Sequence, residues 1–227
     1  MAIEDLRFSL VDLCALLGLI QCVYILVYMA LRAGQWAQAA VPFAYFLVLA
    51  LAFLGDFAFR FIGDLPLYWP LLWAVWLAGL PLSVPVIVQV ASRRQLPARR
   101  DFLILILVPL FVGMAFATAR QHNACIYILS CGPLSQWVII YGIISGAFAI
   151  LSIWLRRTRL VHVRREADYG RERHWLVLAM LVTNAALLVL ALGAVSSDIT
   201  LIEIKLARDL IGLGLVYLAG TSLFRIY

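Results

Sequence analysis

Apolar runs of about 20 residues, the length a helix needs to cross the hydrocarbon core of a bilayer, recur seven times in this chain. A segment in lipid must satisfy its own backbone hydrogen bonds, so runs of this length are read as helices. The predicted spans are about 8–31, 39–61, 67–90, 102–119, 133–155, 175–195 and 200–224. Together they make one all-α domain, a polytopic membrane bundle of seven helices. The connections between them are too short for a further folded unit. With 65% hydrophobic and 13% charged residues, the chain lies far outside the range of soluble domains. The first run follows Glu4-Asp5 and is full length, so it reads as a first transmembrane helix and not as a cleaved signal.

The arginines set the expected orientation. With the N-terminus outside, the cytoplasmic ends hold thirteen arginines and the opposite ends three, Arg7, Arg60 and Arg120. By the positive-inside rule the N-terminus is out and the C-terminus is cytoplasmic. The net charge of +6 is therefore a topology signal. No helix-turn-helix, finger or basic helix accompanies it, so nucleic acid is not expected as a partner. The loop carrying Arg156, Arg157, Arg159, Arg164 and Arg165 is a cytoplasmic basic surface, suited to anionic lipid headgroups or to an acidic protein partner.

The last span carries four ionisable residues, Glu203, Lys205, Arg208 and Asp209, and Lys205 is the only lysine in the chain. Charges at membrane depth are costly; they face a bundle interior or a wet cavity and pair there. Lys205, Arg208, Asp209 and Gly212 share a helix face, and Lys205–Asp209 and Asp56–Arg60 are i, i+4 pairs. Asp12, Asp56, Arg60, Gln136 and the Glu203–Asp209 group all fall in the same outer half of the bundle. The predicted arrangement is a polar cluster opening outward among the first, second, third and seventh helices. From Glu203 to Arg225 is roughly 33 Å of helix, so Glu203 reaches the interface, while Arg208 and Asp209 are the stronger site candidates. Three readings stand side by side: internal ion pairs that lock the last helix to the first two, a site for a ligand, ion or signal, or a juxtamembrane end accessible to water. Asp12 and Asp56 are expected as partners of Arg208 or Lys205 and not as proton carriers.

Trp69, Trp73 and Trp76 lie on one face at the start of the third span, as an interfacial belt or as the floor of an apolar pocket. Pro81 and Pro85 predict a kink whose freed carbonyls are satisfied by neighbouring helices. Cys125 and Cys131 share an outward loop, where a disulfide is permitted. Cys14 and Cys22 read as packing residues. No histidine lies within a span and no His/Cys set has metal-ligand spacing, so neither haem nor zinc is expected. No phosphate loop or nucleophile elbow occurs; no cofactor is predicted, and the reading leans away from an enzyme.

Seven spans and a lone lysine invite comparison with microbial rhodopsins, but Leu201 stands where an aspartate belongs and no carboxylate occurs from Leu67 to Val90. Gly18-Leu19-Ile20-Gln21, Leu80-Pro81-Leu82, Arg99-Arg100-Asp101 with Pro109 beyond, and Trp175-Leu176 after a basic loop make a different pattern. It resembles the membrane module at the N-terminus of some bacterial AraC-type transcriptional regulators and related sensor kinases. The resemblance covers most of the chain and implies a multi-pass sensor of the bacterial inner membrane. The output domain of that family would follow the seventh helix, where this sequence ends Phe224-Arg225-Ile226-Tyr227. The implied protein is a receptor module that signals through a separate partner in the membrane or at its cytoplasmic face. An accessory subunit of a larger membrane complex, or a small transporter, would use the same charges for assembly or for substrate.

Overall fold

The computed structural model describes residues 9–32, 36–62, 69–91, 97–121, 132–156, 170–196 and 201–226. Its elements are α1 (Leu10–Arg32), α2 (Trp36–Ile62), α3 (Trp69–Ala91), a 3₁₀ segment (Arg99–Ile106) leading into α4 (Leu107–Gln121), α5 (Gly132–Trp154), α6 (Gly170–Ser196) and α7 (Leu201–Ile226). Among the described residues there are seven α-helices and no strand. The stretches Leu10–Arg32, Ala39–Ala58 and Gly170–Val195 are long and apolar enough to cross a membrane, which marks the chain as a helical membrane protein.

Local chemistry sets several helix ends. At the start of α1 the Ser9 hydroxyl accepts from the Asp12 N–H at 3.2 Å, and the Asp12 carboxylate accepts from the Ser9 N–H at 3.0 Å. This reciprocal pair is a capping box, and it satisfies two otherwise orphaned donors. Pro70 and Pro133 each occupy the second residue of a helix, where a missing N–H costs nothing. The fourth segment differs from the expected uniform α-helix: its first eight residues wind as a 3₁₀ helix. Pro109 offers no N–H to the Leu105 carbonyl and its ring crowds that carbonyl, so the chain upstream takes the tighter winding. The sixth helix begins at Gly170, five residues before the expected start. Glu172 in its first turn complements the positive end of the helix dipole.

Successive helices pack side by side, and α7 returns against α1 to close the ring; α3 also packs on α5 and α6. Two apolar cores result. The larger draws residues from α1, α2, the second half of α3, α6 and α7, with Ile153 from α5. The smaller joins Leu77 of α3 to Val108 and Phe111 of α4 and Tyr141 of α5. Large apolar side chains are exposed on α1, α2, α4, α5, α6 and α7, but on none of the described residues of α3. Among the described residues, those of the helix with two internal prolines are thus the most enclosed by the others.

Candidate functional site

Three helices converge on one aromatic ring. Phe53 of α2 is buried and fits where α1 and α7 carry glycine. A Cβ built on Gly18 would stand 2.6 Å from Phe53 Cζ, and one on Gly212 would stand 3.1 Å from the same atom. Only glycine at position 18 lets α1 approach this closely. One turn beyond Phe53 along α2 is Asp56, and one turn before Gly212 along α7 are Arg208 and Asp209. The glycine notch therefore sets the spacing at which the charges meet.

Arg208 Nη2 donates to Asp56 Oδ2 across the α2–α7 interface. The same Nη2 donates to Asp209 Oδ1 at 3.0 Å, and Arg208 Nε donates to that oxygen at 3.2 Å. The Asp56 and Asp209 side chains are each 2% exposed, and that of Arg208 is 35% exposed. One guanidinium edge thus serves a carboxylate from its own helix and another from α2. Charge-assisted bonds of this kind are strong, and two carboxylates at 2% exposure depend on them. The expectation that Asp56 partners Arg208 is met.

The remaining predicted members fall in several places. Asp12 is partly buried and takes part in the α1 capping box. With Gly18 facing Phe53, the α1 residues level with the charges are Cys14 and Ala15, both buried. Asp12 sits roughly 4 Å nearer the helix start. Glu203 is exposed in the first turn of α7, and Gln136 is exposed on α5. Arg60 and Lys205 belong to α2 and α7, but their side chains lie outside the described residues, as do those of Trp69, Trp73 and Trp76. Cys125 and Cys131 lie outside the described residues, and so do Arg157, Arg159, Arg164 and Arg165. Among the described residues no group of three His, Cys, Asp or Glu side chains is placed to hold a metal.

At the opposite end of the bundle, Arg156 pairs with the buried Asp101 of the 3₁₀ segment. Its Nη1 also donates to the Ser152 carbonyl at 3.1 Å, one of the last carbonyls of α5 and so otherwise orphaned. Asp101 in turn accepts from the Ala98 N–H at 2.9 Å. Arg173, buried in the first turn of α6, donates from Nε to the Val90 carbonyl at 2.8 Å, at the end of α3. Two arginines of the basic end thus tie helix termini together, while Arg99, Arg100 and Arg171 are exposed. The Arg156–Asp101 and Arg173–Val90 partnerships follow no sequence period. Arg156 alone carries a local signal, an arginine at a helix C-terminus, where the dipole favours a cation; Arg173 stands at a helix start.

Compared with protein-family models, with curated proteins and with solved structures, the chain matches none. The functional reading therefore rests on the geometry.

Proposed function

We propose that this protein is a seven-helix sensor or regulatory protein of the bacterial inner membrane, with its N-terminus outside and its C-terminus cytoplasmic. The observation that carries the reading is the shared guanidinium: Arg208 Nη2 bonds carboxylates from two different helices, Asp56 of α2 and Asp209 of α7. A ligand or ion that takes up one carboxylate leaves Arg208 to the other, and α7 is then held differently against α2. Such a ligand shifts the bundle only by binding the two pairings with different affinity. The cytoplasmic end of α7 would carry the change to a separate partner protein.

The membrane frame supports this placement. Trp36, Trp154 and Trp175 are exposed near the ends of α2, α5 and α6, all at the arginine-rich end, as an interfacial belt would be. Asp56 is twenty residues along α2 from Trp36, about 30 Å at helical rise, which is the full hydrocarbon thickness. The charges then lie at the far boundary, covered by helices and within reach of the outer side through Arg208. The helices outside the three apolar stretches are of similar length where their lead-in is included, and all pack in the same bundle.

The test compares transcriptomes of cells carrying the wild type, a deletion and Asp209→Asn, with membrane-inserted protein quantified in each. A sensor gives an Asp209→Asn profile distinct from the deletion at wild-type protein level. If the variant merely copies the deletion as protein is lost, the charges are structural and the reading fails. Purification in gentle detergent as a stoichiometric membrane complex would favour the accessory-subunit reading instead.

A further inference from the structure

The prolines of α3 mark a change of packing partners. Before them, Leu77, with Ala74 and Ala78, lies in the smaller core with α4 and α5. From Pro81 onward, Leu82, Val86 and Ile87 belong to the larger core with α1, α2, α6 and α7. Pro81 has no N–H for the Leu77 carbonyl and Pro85 has none for the Pro81 carbonyl. Two backbone restraints are therefore missing within one turn, at the level where the helix passes from one core to the other.

Side chains of neighbouring helices occupy this gap. The buried Tyr141 hydroxyl of α5 donates to the Leu77 carbonyl, the group Pro81 releases. Phe111 of α4 stands edge-on to the Tyr141 ring at 5.1 Å between centroids. Between the prolines, Ser83 Oγ donates to the Leu80 carbonyl at 2.6 Å, a back-bond that bends helices. Ser83 Oγ accepts from Asn184 Nδ2 of α6 at 2.9 Å, and Arg173 of α6 holds the Val90 carbonyl. So α6 is bonded to the second half of α3 at two levels, and α5 to the first half.

We infer that α3 is a hinge at Pro81–Pro85 between two units of the bundle, with the Tyr141 hydroxyl holding the first half of the helix to α5. One unit is α4, α5 and the first half of α3; the other is α1, α2, α6, α7 and the second half. A fully bonded helix in lipid bends only by breaking backbone hydrogen bonds, which nothing there replaces. Here the two bonds are already absent, and the bond that substitutes for one of them comes from α5, within the same unit, so it travels with the first half of α3 and does not resist the bend. Sliding at the α5–α6 interface is eased at Gly142 and Gly146, which present backbone to Ala191 and Leu188. The hinge does not depend on the sensor reading; it holds equally for a subunit or a transporter.

The test is pulsed dipolar spectroscopy in nanodiscs, with spin labels at the exposed positions Leu110 of α4 and Leu218 of α7. The background carries alanine at Cys14 and Cys22 and serine at Cys125 and Cys131. Tyr141→Phe unties α5 from the first half of α3, loosening α4 and α5 against the hinge helix, and should raise the population of a second distance about threefold or more, the effect of one interhelical hydrogen bond. Pro81→Ala restores an N–H for Leu77 and should narrow the distribution. Wild-type distributions in both variants would overturn the hinge. If Tyr141→Phe fails to purify as a monodisperse protein, Pro81→Ala decides alone, and a distribution as wide as the wild type's overturns the inference.

Discussion

Gly18→Ala adds one methyl group where the bundle has no room for it. The new Cβ would lie 2.6 Å from both Cε1 and Cζ of Phe53 and 2.8 Å from Cδ1. Ordinary carbon contacts begin near 3.5 Å, so the ring or the helix must retreat by about 1 Å. The ring has little space to move into, because a Cβ at Gly212 on the other side would already stand 3.1 Å from Cζ. The retreat therefore goes into the spacing of α1, α2 and α7. Overpacking of this kind costs about 1–3 kcal/mol, against roughly 1 kcal/mol returned by alanine's better helix propensity. A net destabilisation of about 1–2 kcal/mol follows. Gly214→Ala is the matched control: nothing lies within 4 Å of its Cβ, and it should be neutral or stabilising by up to about 1 kcal/mol. Reversible unfolding in bicelles, followed by steric trapping, measures both. Phe53→Leu in the Gly18→Ala background makes room for the methyl and should recover most of the loss, giving a favourable coupling of about 1 kcal/mol in the double-mutant cycle. Equal stability of Gly18→Ala and Gly214→Ala would refute the notch.

Two further outcomes follow from the charged groups. Arg208→Gln takes the guanidinium from two carboxylates whose side chains are each 2% exposed, and should cost about 3–5 kcal/mol. Asp56→Asn leaves Arg208 with Asp209 and should cost about 1–2 kcal/mol; equal losses in the same unfolding assay would show that the guanidinium is not shared. At the other end, Arg156→Ala deprives the buried Asp101 of its cation and the Ser152 carbonyl of its donor. The amides of Arg99–Ile106 should exchange with solvent deuterium about tenfold faster or more, whereas Asp101→Asn, which keeps an acceptor for the Ala98 N–H, should change them less. Unchanged exchange in Arg156→Ala would remove its assigned role.

The prolines show how sequence and tertiary structure divide the work. Pro81 by itself dictates that the Leu77 carbonyl loses its helical partner, because the missing N–H and the ring are covalent facts. That Tyr141, 64 residues away, fills the place is invisible in the sequence, since a tyrosine among apolar residues satisfies no periodic pattern. Asn184 is a polar residue near the middle of its helix, but only the packing of α6 on α3 makes Ser83 its partner.

Residue order is enough to make the chain helical and apolar enough for a membrane, and to require a carboxylate for Arg208. Length, hydropathy and the cost of burying charge suffice for that. Sequence spacing highlighted pairs one turn apart. The described contacts of Arg208 instead join neighbouring Asp209 to Asp56, 152 residues away. Which carboxylate lies within reach depends on how closely α1, α2 and α7 approach. Tertiary structure alone decided that, through the fit of the Phe53 ring against Gly18 and Gly212. Close packing is a property of surfaces brought together from distant parts of the chain, and no local pattern encodes it.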